Sequence, residues 1–228
     1  MPDRPFVLLS AAMSVDGCID DTSSQRLVLS DAADLDRVDA ERAGVDAVLV
    51  GATTIRRDDP RLLLRSVPRQ EARVAAGRPP HPIKVALTGG GDLDPTARFF
   101  TTGSGLRLVY APSAAVGLAA ERVGSLATVV DAGERVDPAW LLADLHARGV
   151  ARLMIEGGTS VHALFLTAGL VDEIQLLVAP FFVGEAAAPR FGGTGAFPHN
   201  AGHRMRLAEA RVLGDQVLLR YLLGESDG

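Results

Sequence analysis

Leu153-Met154-Ile155-Glu156-Gly157-Gly158-Thr159-Ser160 sets an apolar run, a lone acid, two adjacent glycines and two hydroxyl residues side by side. The apolar residues read as a strand buried on both faces, the glycines as a tight turn, and the hydroxyl pair as the start of a helix. Adjacent glycines let backbone approach a ligand closely, and the N–H groups of the next helical turn present a positive end to a phosphate. A plain helix N-cap after a tight turn is the other reading. Glu156, an acid at the end of a buried strand, needs a partner or a proton. The same passage from buried strand to helix recurs through the chain. Asp46–Gly51 is a near-continuous apolar run, followed by a helical turn that stops at Asp59-Pro60. Ile83–Leu87, Arg107–Tyr110 and Thr128–Val130 read as further buried strands, and Ser113–Val123, Pro138–Arg148 and Ser160–Ala168 as helices. Such alternation predicts an α/β fold with right-handed crossovers.

The two ends complete the pattern. Phe6–Ala11 reads as a strand, and Ser30 as the N-cap of a helix running to about Ala43, with Leu35 and Val38 inward and Asp34, Asp36 and Glu41 outward. Glu173–Val178, Arg204–Val212 and Gln216–Leu222 read as strands, the last two joined by a Gly214-Asp215 hairpin turn. A mostly parallel sheet therefore ends in an antiparallel hairpin. Residues 65–82, with Pro68, Pro79, Pro80 and Pro82, read as a long surface loop, and 184–203 as a second irregular stretch. Neither resembles a linker, so residues 1–228 are read as one domain.

The chain has 228 residues, is 47% hydrophobic and carries a net charge of −5. A mildly acidic total argues against general nucleic-acid binding. The single cysteine, Cys18, excludes an intrachain disulfide and a multi-cysteine zinc site. The early apolar run Phe6–Met13 is too short and too interrupted for a signal peptide or membrane span, which points to a cytoplasmic protein. Charge is unevenly spread: seven arginines (Arg56, Arg57, Arg61, Arg65, Arg69, Arg73, Arg78) face three acids between Arg56 and Arg78. That stretch reads either as a solvated loop or as a local anion site, because the guanidinium fork matches phosphate oxygens in two-point contact.

Several chemistries are excluded by motif. The only lysine, Lys84, lies in Pro-Ile-Lys-Val, so there is no Gly-Lys-Ser/Thr phosphate loop. The Gly-x-Gly-x-x-Gly fingerprint and the Gly-x-Ser-x-Gly elbow are missing too. His199 and His203 share a glycine-containing loop and read as structural or solvated, so no metal ligands are assigned.

Four segments at the ends of expected parallel strands remain, the edge where open α/β sheets bind ligands. They are Ala11–Gly17, Val50–Leu62, Pro82–Gly91 and Leu153–Ser160. Met13-Ser-Val-Asp-Gly17, Arg42-Ala-Gly-Val-Asp46, Val50-Gly51 with Thr54 and Asp58-Asp-Pro-Arg-Leu62, Glu156-Gly-Gly158, Gly169-Leu-Val-Asp-Glu173 and Ala179-Pro180 resemble the pyrimidine reductase family of riboflavin synthesis. The likeness runs over nearly the whole chain in the same order. It implies the dihydrofolate-reductase-like fold, a three-layer α/β sandwich, with NADPH as hydride donor and usually a homodimer. The implied substrate is a ribosylaminopyrimidine 5′-phosphate whose ribosyl group is reduced to ribityl. Cofactor contacts would fall on Ala12, Leu27, Thr54, Asp58, Thr88 and the run Gly157, Gly158, Thr159, Ser160, Val161, His162, Ala163, Leu164. Substrate contacts would fall on Gln25, Arg42, Leu62, Arg65 and Glu156, with Arg65 facing the phosphate. The ring of His162 packs or meets solvent, its backbone being the contributor.

The resemblance makes Asp58 the candidate for assisting proton movement and Glu156 the second, while Asp58 also suits a purely orienting role toward the cofactor's ribose. This chain has Ser10 where some members carry lysine, Leu27 where some carry tryptophan, and Thr88-Gly-Gly-Gly91 where Asp-Ser is common. Arg107, Ser113 and Arg135 are the candidates to meet a 2′-phosphate. Neither length nor cysteine content accommodates a zinc deaminase half. The other readings are a reductase of this fold acting on a pterin, dihydrofolate or a secondary metabolite, and a nucleotide-binding protein without catalysis.

Overall fold

The computed structural model describes residues 3–223. They form two compact units, one of residues 39–154 with the first few residues and one of 6–38 with the chain from Ile155 onward. The nine strands are mostly parallel and end in an antiparallel hairpin, as the sequence predicts.

In the first unit β2 (Ala47–Gly51), β3 (Ile83–Leu87), β4 (Arg107–Ala111) and β5 (Thr128–Asp131) pair in parallel, in the spatial order β5-β4-β3-β2. Every residue of β2 is buried, which is why its alternation is lost in an apolar run. Helices α2 (Ala52–Asp58), α5 (Ser113–Val123) and α6 (Pro138–Ala147) follow strands as expected, and the Tyr110 hydroxyl donates to Asp144 of α6 at 2.5 Å. Lys84 of β3 is 4% exposed. Its ammonium donates to the carbonyls of Phe99 (2.9 Å) and Thr102 (2.8 Å), closing the C-terminal end of the short helix α4 (Arg98–Thr101). Burial, with Arg107 and Arg42 nearby, pushes this amine down to about 8.

One stretch expected to be irregular is a helix, α3 (Val67–Ala75). Ser66 is its N-cap, accepting the Arg69 N–H, and Pro68 lies in the first turn, where a missing N–H costs nothing. The proline therefore starts a helix instead of preventing one. Its inward residue is Arg73, whose guanidinium donates to the carbonyls of Pro79, Ala43 and Val45.

In the second unit β1 (Phe6–Ser14) pairs in parallel with β7 (Glu173–Ala179), and β7 pairs antiparallel with β9 (Gln216–Leu222), itself antiparallel to β8 (Arg206–Leu213). Helix α7 (Thr159–Thr167) belongs here, after the last residues of β6 (Arg152–Gly157). Helix α1 (Ala32–Gly44) corrects two expectations. Its N-cap is Asp31, whose carboxylate accepts the Asp34 N–H at 2.9 Å, and not Ser30. Asp34 does not face out: it is 1% exposed and pairs with Arg37, which also donates to Gln175 of β7 at 2.6 Å. Gln175 in turn donates to Glu173, which accepts both arms of Arg220. A charged network therefore occupies a position where apolar periodicity predicts solvent, running from Asp34 Oδ1 through Arg37 and Gln175 to Glu173 and Arg220, while Asp34 Oδ2 has no partner among the described residues. No helix among the described residues is long and apolar enough to cross a membrane.

Candidate active site

Arg42, Thr54, Asp58, Leu62, Arg65 and Thr88 lie in the first unit. Thr54 and Asp58 are half-buried, one turn apart on α2, which starts where β2 ends. Asp59 ends α2 in the left-handed region (φ 42°) and accepts the Arg98 N–H and guanidinium. Leu62 is also left-handed (φ 49°), a conformation costly for a bulky residue. It is 2% exposed, so its side chain is an anchor, and any substrate contact from this position must come from the backbone. The consequence is placement: Arg65, three residues on, is exposed. Among the described residues no hydrogen bond or ion pair engages the guanidinium of Arg61 or of Arg65, whereas other arginines of the cluster are spent on carbonyls and carboxylates. Arg42 donates to the Leu63 carbonyl at 3.4 Å, so it reaches the same segment. The Thr88 hydroxyl accepts the Gly91 N–H at 3.0 Å, which places it inside the turn after β3.

Ala12, Gln25, Leu27, Glu156 and Gly157–Leu164 lie in the second unit. Ala12 and Leu27 are half-buried, and Gln25 is exposed in an irregular stretch. Glu156 is the half-buried end of β6. Gly157 has φ +133°, where side chains are strained, and the Gly157–Gly158 peptide is cis. Gly158 is the N-cap of α7 and offers no side chain; the N–H groups of Val161 and His162 turn back to its carbonyl. The N–H groups of Thr159 and Ser160 have no acceptor among the described residues, as at any α-helix start, and can serve an outside anion. The donor set fits a dinucleotide phosphate. The Thr159 hydroxyl is engaged otherwise, donating to the Arg190 carbonyl.

His162 packs and does not meet solvent. It is 0% exposed, its ring lies 5.4 Å from that of Phe191, and neither ring nitrogen has a partner among the described residues. Burial alone pushes it down to about 4. A histidine whose folded value is depressed holds fewer protons than the unfolded chain between about 4 and 6.5, so stability falls as pH drops through that window and levels off below it. At pH 5 the loss relative to pH 8 is about 2 kcal/mol. Urea unfolding at the two pH values should show at least this difference, and His162→Leu should remove about 2 kcal/mol of it, leaving the share of His81 and His199, which burial also lowers; an unchanged difference in the variant would place the acid sensitivity elsewhere.

Two carboxylates to which the sequence reading gives no role organise these segments. Asp16, in the turn after β1, accepts from the Ser14 hydroxyl and the N–H groups of Val183 and Gly184, which hold it far below the usual carboxylate range. Asp39 likewise gathers backbone N–H groups of the Arg65 segment. Of the 2′-phosphate candidates, Arg107 is spent on the carbonyls of Phe99, Thr102 and Gly103, and the Ser113 hydroxyl on Asp131.

The chain is 37% identical over 187 residues (82% of this chain, 85% of the relative) to the 2,5-diamino-6-ribosylamino-4(3H)-pyrimidinone 5′-phosphate reductase of Archaeoglobus fulgidus. It is 33% identical over 219 residues (96% and 98%) to the enzyme of that name from Methanothermobacter thermautotrophicus. Among solved structures it shares its fold with a pyrimidine reductase-like protein from Corynebacterium diphtheriae (TM-score 0.82, 23% identity, 97% and 93% covered). It also aligns with the bifunctional deaminase/reductase of Thermotoga maritima (TM-score 0.76, 21% identity), of which it covers 56% against 96% of itself. Residues 5–219 match the RibD C-terminal domain, and the chain belongs to that family.

Proposed function

We propose that this chain reduces the ribosyl group of a ribosylaminopyrimidinone 5′-phosphate to ribityl in riboflavin synthesis, with NADPH as donor, as a single-domain cytoplasmic homodimer. The names of the two relatives support the diamino form as substrate, with reduction before deamination. The observation that carries the reading is the Glu156-Gly157-Gly158 turn, which opens a helix with no side-chain cap in a chain of this reductase family. When bound, the dinucleotide supplies the hydride. Thr54, Asp58 and Thr88, Ala12 and Leu27, and Gly157–Leu164 hold it, the Thr159 and Ser160 N–H groups taking a phosphate. Arg65 binds the substrate's phosphate, Arg42, Gln25 and the Leu62 backbone orient the substrate, and Glu156 holds the pyrimidine or its ribosyl amine. The reaction needs no nucleophile from the protein. Opening of the ribose ring moves a proton, and an Asp58 carboxylate oxygen holds or passes it, with Glu156 as the second acid.

The test follows NADPH absorbance with a panel of diamino- and amino-ribosylaminopyrimidine phosphates, dihydrofolate and, in parallel, NADH. Oxidation with the diamino phosphate is the expected result. Turnover of dihydrofolate alone would move the chain to another substrate class, and nucleotide binding without any oxidation would make it a non-catalytic binder.

A further inference from the structure

Asp39 is a buried carboxylate, 3% exposed, in the last turns of α1, and no sequence motif draws attention to it. Its two oxygens collect three donors from one short segment. Oδ1 accepts the Arg65 N–H at 2.5 Å; Oδ2 accepts the Ser66 N–H at 3.2 Å and the Arg69 guanidinium at 3.0 Å. One helical turn later Arg42 donates to the Leu63 carbonyl, so the end of α1 grips residues 63–66 by both acceptor and donor. A carboxylate this close to Arg65 would ordinarily capture its guanidinium. Here its lone pairs are committed to backbone N–H groups and to Arg69, and the Arg65 guanidinium makes no hydrogen bond or ion pair among the described residues. The backbone of Arg65 is fixed while its charge stays available. Leu62, buried just before, anchors the start of the segment and holds its left-handed backbone in place.

We infer that Asp39 is a positioning residue that presents Arg65 to the phosphate of the substrate, with Arg69 as the counter-charge that keeps Asp39 from competing. The inference rests on the reading of Arg65 as a phosphate ligand. It requires that Asp39 act on binding of the phosphorylated substrate and not on the reducing step.

The experiment compares steady-state kinetics on the phosphorylated substrate and on its dephosphorylated counterpart. The main variant is the double Asp39→Asn/Arg69→Gln, which keeps net charge while weakening the grip on both N–H groups. It should raise KM for the phosphorylated substrate about tenfold with kcat within about twofold, since a charged hydrogen-bond set is being replaced by neutral ones. The dephosphorylated substrate should show no change in kcat/KM. Asp39→Glu, which keeps the charge and displaces the oxygens by one methylene, should move KM in the same direction, and it decides the matter if the double variant does not fold. A wild-type KM in these variants while Arg65→Ala raises it overturns the inference alone, as does an equal loss on both substrates. A wild-type KM in Arg65→Ala removes the phosphate reading itself.

Discussion

Arg65→Ala should raise KM for the phosphorylated pyrimidine about 100-fold and change kcat by less than about threefold, because a two-point guanidinium–phosphate contact contributes binding and takes no part in proton or hydride movement. Of the seven arginines between Arg56 and Arg78, Arg73 is buried against carbonyls, Arg69 pairs with Asp39, Arg78 reaches Asp46, and Arg56 bonds Thr53 and Asp92. The Arg61 and Arg65 guanidinium groups are left unengaged among the described residues, and Arg65 is the one whose backbone is fixed. Arg61→Ala is the comparator. A general positive field would make the two variants alike and strongly salt-dependent, whereas a direct contact singles out Arg65. Lysine at position 65 should recover only part of the loss, since it keeps charge but not the fork.

Gly91→Ala should lower stability by about 4 kcal/mol, through a left-handed backbone and a collision with main chain. Gly91 has φ +75°, and a Cβ there would press on the Ala115 carbonyl oxygen and lie 3.1 Å from the Ala119 nitrogen, both in the backbone of α5. Backbone cannot swing aside as a side chain would. The preceding glycines are the controls: a Cβ at Gly89 or Gly90 meets nothing within 4 Å, and both are exposed. Alanine at either should stay within about 1 kcal/mol of the parent in thermal or urea unfolding. Equal losses at all three positions would mean that flexibility of the turn, and not close approach at Gly91, is what the sequence preserves.

The alternation of buried strands and helices was legible because burial on both faces writes itself as apolar runs; Ile83–Leu87, Ser113–Val123 and Gln216–Leu222 have the bounds read from sequence. Helix α3 was hidden by prolines whose effect depends on whether they stand in the first turn or later. The buried polar face of α1 was hidden for a different reason: Arg37 pairs with Asp34 and donates to Gln175, and pairing across 138 residues leaves no periodic trace. At the site, the glycine turn and the arginine cluster were legible as chemistry. Which arginines stay available was not, because that follows from where each side chain finds an acceptor. Asp39, and the role of Asp16 within the Met13–Gly17 motif, were illegible because carboxylates that gather backbone N–H groups look, in sequence, like surface acids.

The lone lysine has a practical consequence. With Lys84 enclosed and its amine bound to two carbonyls, the side chains of the chain expose no ε-amine, so succinimidyl esters and lysine crosslinkers find nothing on the described surface until β3 and α4 part. Acylation of that single side chain, followed by mass spectrometry, therefore clocks the opening of this region. Burial brings the enclosed amine to about 8, and opening releases it towards the ordinary lysine range, so the rate at mildly alkaline pH reflects the opening together with the protonation of the freed amine.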